Sequence, residues 1–327
     1  MIDRRNLLRS AIGGAAAVAA GPVGYSARAD NTLEKLSLFV PAAPGGGWDQ
    51  TARAIERTLK LAGLARRIEV VNAPGQRGVT GLTRFATEMS GQGDSLMVTG
   101  LVMISATAGA NAPITLANVT ALARLAADFQ IVVVPAASKL QSFSDLAVAL
   151  TSDAGAVEWT GGPVGGTDHI LAGLISRAVG IDLARLRYRA APDGEPIQAA
   201  LLDGRAAVGI GGSRDFTAEL AAGSLRPLAI SSRNRRTGID VPTIKEQGLD
   251  VELVNWRGVF APAKIDAATL KSLAATIETM AKSLAWHDEI ARRGWLDLYQ
   301  PGEAFARFVG NETARIGEVL RRLGVAG

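Results

Sequence analysis

Twice along this chain a short β-type apolar run gives way to a glycine-rich loop that opens into an amphipathic segment. The first run is 36–40, followed by a loop at 41–48 and a helical pattern over 49–61 with Ala52, Ile55 and Leu59 on one face. The second is 157–160, a loop at 161–167, and a helical pattern over 168–178. Side chains alternate along a strand and recur every 3.6 residues along a helix, so the two periods can be told apart by eye. Strand–loop–helix units bury both periods only when helices cover a sheet, which predicts an α/β architecture with parallel strands.

Further units extend the pattern in two series. The first continues with strands at 68–71 and 96–99 and a helix carrying Val79, Leu82 and Phe85. The second begins at Ile131-Val132-Val133-Val134, with Ser142 as N-cap of a helix carrying Phe143, Leu146 and Leu150. Strands are expected at 207–210, 228–230, 251–255 and 258–261, then helices at 266–284 and 302–323. No Ser/Gly/Pro-rich tether separates the series, so two lobes joined by short extended crossings near 128–131 and 251–256 are expected. The first lobe then takes 30–130 and returns over 252–327 with the C-terminal helices. The second takes 131–251.

The chain starts with a basic segment, Arg4-Arg5 before Leu7-Leu8, followed by an Ala/Gly-rich apolar run and a small-x-small step at Ala27-Arg28-Ala29. This is the layout of a signal peptide over 1–29, with the paired arginines favouring twin-arginine over Sec export and a periplasmic destination. A membrane anchor is the competing reading, but the run is shorter than the roughly 20 apolar residues a span needs. The segment carries Arg4, Arg5, Arg9 and Arg28 against Asp3, so the net charge of +4 falls to +1 without it. No basic stripe is left for nucleic acid, and the only dense basic cluster, Arg233, Arg235 and Arg236, reads as a solvated loop. With no cysteine, disulfides and thiolate metal sites are excluded.

The chemistry concentrates on Pro44-Gly45-Gly46-Gly47-Trp48-Asp49 and Gly161-Gly162-Pro163-Val164-Gly165-Gly166-Thr167-Asp168-His169. Glycines let backbone N–H groups approach a ligand closely. A helix start adds unpaired donors and a partial positive charge, so each loop is a candidate anion site that needs no lysine or arginine. Asp49 in the first loop, and Thr167 or Asp168 in the second, are the expected caps. The competing reading is a plain strand-to-helix turn. Trp48 argues against it, because a tryptophan on a polar loop packs or covers something. One anion site per lobe points to a ligand clamped between lobes by both ends.

Neither loop ends in the Gly-Lys-Ser/Thr of a phosphate loop, and Gly75, Gly78 and Gly81 are not spaced as a dinucleotide fingerprint. There is no Gly-x-Ser-x-Gly turn and no His-x-x-x-His pair. His169 reads as a helix-surface residue and His287 as a solvated helix end. Asp193 and Glu195 read as loop acids that cap the next helix. No enzyme, metal or cofactor is expected.

The run Val40-Pro41-Ala42-Ala43-Pro44-Gly45-Gly46-Gly47-Trp48-Asp49, with Thr51-Ala52-Arg53, resembles the tripartite tricarboxylate transporter receptors, also called the Bug family. Asn72-Ala73-Pro74-Gly75 with Gly78 resembles the family's second glycine turn, and 161–169 its second-lobe ligand loop. Gly294-Trp295 through Pro301-Gly302-Glu303-Ala304-Phe305 resembles its closing segment, so the likeness runs along the chain after the export signal. Tyr188-Arg189 stands at the family's Pro-Tyr-Lys-Gly position, with arginine for lysine and Ala190 for glycine. The Asp common after the family's Gly-x-Val is absent from Arg205-Ala206-Ala207.

The resemblance implies a two-lobe periplasmic binding protein of the flytrap type, a type II Venus flytrap with its cleft between lobes. It implies a monomer that binds a small di- or tricarboxylate, citrate-like in size, and delivers it to a two-subunit membrane transporter. The implied ligand contacts are Pro44, Gly45, Gly46, Gly47, Trp48 and Asp49 from one lobe. From the other they are Gly162, Pro163, Gly165, Gly166 and Thr167, with Arg189 and Ser213 as side-chain contacts. A carboxylate sensor that presents its ligand to a signalling partner would use the same parts.

Overall fold

In a computed structural model of the protein, residues 32–191 and 196–326 are described. The expected export signal, and Asp193 and Glu195, lie outside them. The strands are β1 (Leu33–Val40), β2 (Ala65–Asn72), β3 (Ser95–Gly100), β4 (Thr120–Pro135), β5 (Glu158–Gly161), β6 (Arg187–Ala190), β7 (Val208–Gly212), β8 (Leu225–Ile230), β9 (Val254–Ala261) and β10 (Leu296–Pro301). The helices are α1 (Gly47–Leu61), α2 (Val79–Glu88), α3 (Leu101–Gly109), α4 (Phe143–Asp153), α5 (Thr167–Ala178), α6 (Ile197–Leu202), α7 (Thr217–Ala221), α8 (Ala267–Ala281), α9 (Leu284–Arg293) and α10 (Gly302–Arg322).

One continuous sheet runs in the order β2-β1-β3-β9-β4-β7-β5-β6, with β8 and β10 also paired to β4. The expected parallel pairing holds within each half: β1 runs parallel to β2 and β3, and β5 to β6 and β7. It fails in the middle, where β4 and β9 pair antiparallel with each other and with their other neighbours, making the sheet mixed. The cause is connectivity. The chain passes from the first half to the second along β4 and comes back along β9, so these strands oppose the βα units on either side. At about 3.3 Å per residue β4 is roughly 50 Å long, enough to serve both halves. Its first part, Thr120 to Phe129, pairs with β9, and Gln130 to Val133 pairs with β7.

Two local expectations change. The separate strands expected at 251–255 and 258–261 are replaced by one, β9 from Val254 to Ala261, with 251–253 outside it, and its central Trp256 and Arg257 are both buried. The helix expected at 266–284 is α8, and a further helix not expected from the pattern, α9, follows it where Ser283 accepts the Trp286 N–H at 3.2 Å. Ser142 caps α4 as expected, in a reciprocal box with Asp145.

Buried Phe305, Val309, Ile316 and Leu320 seat α10 against the middle of the sheet, where the Trp256 ring meets Phe305 edge-on at 5.7 Å. The far end of α10 reaches the second half. A Cβ on Gly173 of α5 would lie 3.1 Å from Leu323 and 3.2 Å from Val319. Among the described residues no helix is long and apolar enough to cross a membrane.

Candidate ligand-binding site

The two glycine loops share one hydrogen-bond plan. The N-caps are Gly46 for α1 and Gly166 for α5, and neither uses a side chain. Before each cap stands a glycine in the left-handed region, Gly45 at φ 84° and Gly165 at φ 73°, where an L side chain is strained. Its N–H is received by the third helical residue: Gly45 donates to Asp49 Oδ2 at 2.9 Å, and Gly165 to His169 Nδ1 at 3.1 Å. The helical ladder then begins at Gln50 to Gly46 and Ile170 to Gly166. The N–H groups of Gly47, Trp48, Thr167 and Asp168 therefore have no acceptor within their own helices. Side-chain capping by Asp49, Thr167 or Asp168 is thus not what the loops use. His169 is not a surface residue either. It is 6 % exposed, and its ring lies 4.3 Å from that of Tyr188.

Both helix starts border a cavity of about 650 Å³. Gly47 and Trp48 line it from α1, Thr167 and Asp168 from α5, with Gly162, Pro163 and Gly166 beside them. Pro74, Gly75, Arg77 and Gly78, from the turn before α2, form another wall. Trp48 both packs and faces the cavity: it is buried, and a Cβ on Gly78 would fall 2.8 Å from its ring. Arg77 Nη1 donates to Val164 O at 3.3 Å, joining the loops of the two halves at the cavity edge.

The crossing strands contribute Asp128 and Gln130 from β4, and Asn255 and Arg257 from β9. Arg257 ion-pairs with Asp128 through Nη2 and stacks 5.1 Å from the centre of Trp295. Its Nη1, Gln130 Oε1 and Asn255 Oδ1 are buried without a hydrogen-bond partner among the described residues.

The site's electrostatics differ between the two loops. Burial raises the Asp49 carboxyl, but bonds from the Gly45 N–H, Arg53 and Asn72 outweigh it and hold it below the usual range. Burial pushes Asp168 up to about 7, offset in part by the Gly162 N–H at 2.8 Å and reinforced by Asp215. Asp215 is itself raised by burial and by Asp128, against the Gly212 N–H. Burial lowers His169 to about 4, so its imidazole is neutral and accepts at Nδ1. No group of acids and histidines is spaced to hold a metal ion among the described residues.

Of the ligand contacts implied by the resemblance, Gly47, Trp48, Gly162, Pro163, Gly166 and Thr167 border the cavity, and Pro44, Gly45, Gly46, Asp49, Gly165, Arg189 and Ser213 do not. Pro44, Gly45 and Gly46 lie on the exposed side of their turn, and Asp49 is buried behind it. Gly165 packs against the C-terminal segment, where a Cβ would meet Val325 at 2.9 Å. Arg189 does not border the cavity, and the strand period gives the reason. Its neighbour Tyr188 turns toward α5 and donates to Gly162 O at 2.8 Å, so Arg189 faces the opposite way and ion-pairs with Glu158 at 3.5 Å. Ser213 gives way to Gly212 and Asp215, which border the cavity on either side of it.

The residues that sequence reasoning missed, Asp128, Gln130, Asn255 and Arg257, share one signal: they are polar positions inside apolar strands, at the two expected crossings.

The family model described as tripartite tricarboxylate transporter family receptor matches residues 63–325. The chain belongs to this receptor family. The second glycine loop lies inside the matched segment, and the first lies just ahead of it. Tripartite tricarboxylate transporter receptors are periplasmic solute-binding proteins, and the two-lobe α/β fold agrees with that membership.

Among relatives of this receptor, BugT of Bordetella pertussis is 26% identical over 295 residues, covering 88% of this chain and 89% of BugT. A TctC solute-binding protein from Polaromonas, solved without ligand, superposes with a TM-score of 0.74 at 22% identity, covering 89% of this chain and 99% of that one. MatC from Rhodopseudomonas palustris, solved with bound malate, gives 0.66 at 22% identity over 88% and 99%.

Proposed function

We propose that this receptor captures a small carboxylate in the cavity between the halves of its sheet and delivers it to a two-subunit membrane transporter. The observation that carries the reading is the repeated loop plan: two helix starts, built alike, present free N–H donors to one cavity. Such donors favour an anion without reorganisation, and the dipoles of α1 and α5 add to them. Malate in MatC is a precedent for a dicarboxylate in this fold, and a cavity of about 650 Å³ is ample for one. A first lobe over 30–130 and 252–327, a second over 131–251, a monomeric state and export through the twin-arginine route complete the proposal. Contacts made to both loops at once would stabilise a closed arrangement over an open one.

A thermal-shift screen of the purified protein against mono-, di- and tricarboxylates tests this. Ligand at 100 times its dissociation constant should add about 2.7 kcal/mol of stability. The reading falls if protein stripped of bound solute by unfolding and refolding responds to none of them.

A further inference from the structure

We propose that the ligand is a carboxylate carrying a cationic nitrogen, an amino-substituted dicarboxylate rather than a bare one, with the nitrogen held by Asp168 and Asp215. The inference rests on the carboxylate reading above and narrows it.

The charges around the cavity are the first reason. Asp128, Asp168 and Asp215 line it against Arg77 and Arg257. Arg257 is committed to Asp128 through Nη2. A bare di- or tricarboxylate would bring two or three negative charges beside these acids, and like charges close together at low dielectric repel, so Asp168 would have to stay protonated next to it. A cationic nitrogen removes that conflict.

Placement is the second reason. Strands β5 and β7 are neighbours and run parallel, with Thr160 opposite Gly209. The loops leaving their ends carry Asp168 and Asp215 to the same side of the cavity. Each carboxylate has one oxygen tied to a glycine N–H of its own loop at 2.8 Å, Asp168 to Gly162 and Asp215 to Gly212. Among the described residues the other oxygen of each makes no hydrogen bond, and neither residue meets a lysine or arginine. They are not spaced to hold a metal ion.

An independent observation comes from Gln130. It is 5 % exposed and lines the same cavity, and its side-chain Oε1 is buried with no hydrogen-bond partner among the described residues. A buried amide oxygen left unpaired is costly, so its position beside the acids points to a ligand that pairs with it. The anionic end has a separate place. A Cβ on Gly47 would lie 3.2 Å from Arg257 Nη2, which puts the α1 donors next to the guanidinium and leaves the acids to the α5 side. The raised proton affinity of Asp168 agrees with a carboxylate placed to meet a cation that is not part of the protein.

The test is isothermal titration calorimetry of protein stripped of bound solute, with matched pairs: succinate and aspartate, glutarate and glutamate, adipate and 2-aminoadipate. In at least one pair the amino compound should bind ten times more tightly or better. Asp168→Asn and Asp215→Asn should each weaken the amino compound at least fivefold and tighten its parent diacid, a crossed response that a folding defect does not produce. Melting curves confirm that the variants fold. Parent diacids that bind as well as their amino partners overturn the cation site and leave the carboxylate reading standing. An amino preference unchanged in both variants overturns the assignment to these residues. Binding of no compound in either series overturns the carboxylate reading and this one together.

Discussion

Trp48 and Asp168 hold the same place in two copies of one local design. Each is the second residue of a helix that follows a left-handed glycine and a glycine cap, and each lines the shared cavity. The backbone is repeated and the side chain is not: one copy presents an indole, the other a carboxylate. The third positions diverge in the same way. Asp49 and His169 both accept the N–H of the glycine four residues back, one as an anion and one as a neutral ring. The repeated backbone presents helix-start N–H donors from both halves, the feature on which the proposed carboxylate recognition rests. The unrepeated side chains set polarity along the cavity.

The Asp168 carboxyl makes stability depend on pH. In the folded protein it holds its proton up to about 7, whereas a free carboxyl loses it near about 4. Across that window the folded state binds the extra proton, so Asp168 makes stability fall as pH rises. Asp215, raised as well, acts in the same direction. His169 opposes them. Lowered to about 4, it makes stability rise with pH until its unfolded value near about 6.5 is passed. Tyr188, the remaining titratable neighbour, is pushed further up and stays protonated throughout. Melting profiles of wild type and Asp168→Asn from pH 4 to 8 should therefore diverge, the variant gaining relative stability as pH rises to about 7. Parallel profiles would mean that Asp168 is ionised across the range.

Within the first loop, position 47 matters more for binding than position 46. Gly47 lines the cavity, and a Cβ there points at Arg257. Gly46 is on the outer side, and the nearest atom to its Cβ would be Ala43 O at 3.5 Å, an ordinary contact. Gly47→Val should weaken carboxylate binding at least tenfold by calorimetry, and Gly46→Ala less than threefold. Equal losses would place the ligand on the other side of the turn.

Breaking the Arg257–Asp128 pair should cost folding stability. Arg257 is buried, and removing it leaves Asp128 facing Asp215 without its cation. Removal of one partner of a buried pair costs about 3–5 kcal/mol. With Asp128 about a third exposed, roughly 2–3 kcal/mol is expected for Arg257→Met in urea unfolding. Asp128→Asn added to that variant should recover part of the loss, since the unpaired charge is then gone. A double variant no better than the single one would assign the loss to packing on Trp295 alone.

Tyr188 positions the second loop. Its hydroxyl donates to Gly162 O, and its ring packs on His169. Tyr188→Phe keeps the ring and loses the bond, so about 1 kcal/mol of stability should go in denaturant unfolding. Ligand affinity should fall too, because Gly162 both borders the cavity and donates to Asp168. Unchanged affinity would show that the loop holds its shape without the tether.

Much of the second half was legible because its signals are local. Ser142 with Asp145 reads as a capping box, and Val208 to Ile210 as a buried strand. The helix expected at 266–284 is α8, but α9 beyond it was not legible, because its start rests on one side chain, Ser283, which donates to Met280 O and accepts the Trp286 N–H. Likeness puts Arg189 among the ligand contacts, whereas strand register turns it away from the cavity toward Glu158. Register depends on which face of β6 meets α5, and that is a tertiary fact.

The chain by itself determined the βα units and the two glycine loops with their unpaired helix-start donors, because helix starts and left-handed glycines are properties of neighbouring residues. Only the tertiary structure decided which side chains share the cavity. Asp128 with Gln130, and Asn255 with Arg257, stand more than a hundred residues apart in sequence and meet because β4 and β9 pair antiparallel. Their charge, set against Asp168 and Asp215, depends on burial and proximity, and neither is written in any local stretch of sequence.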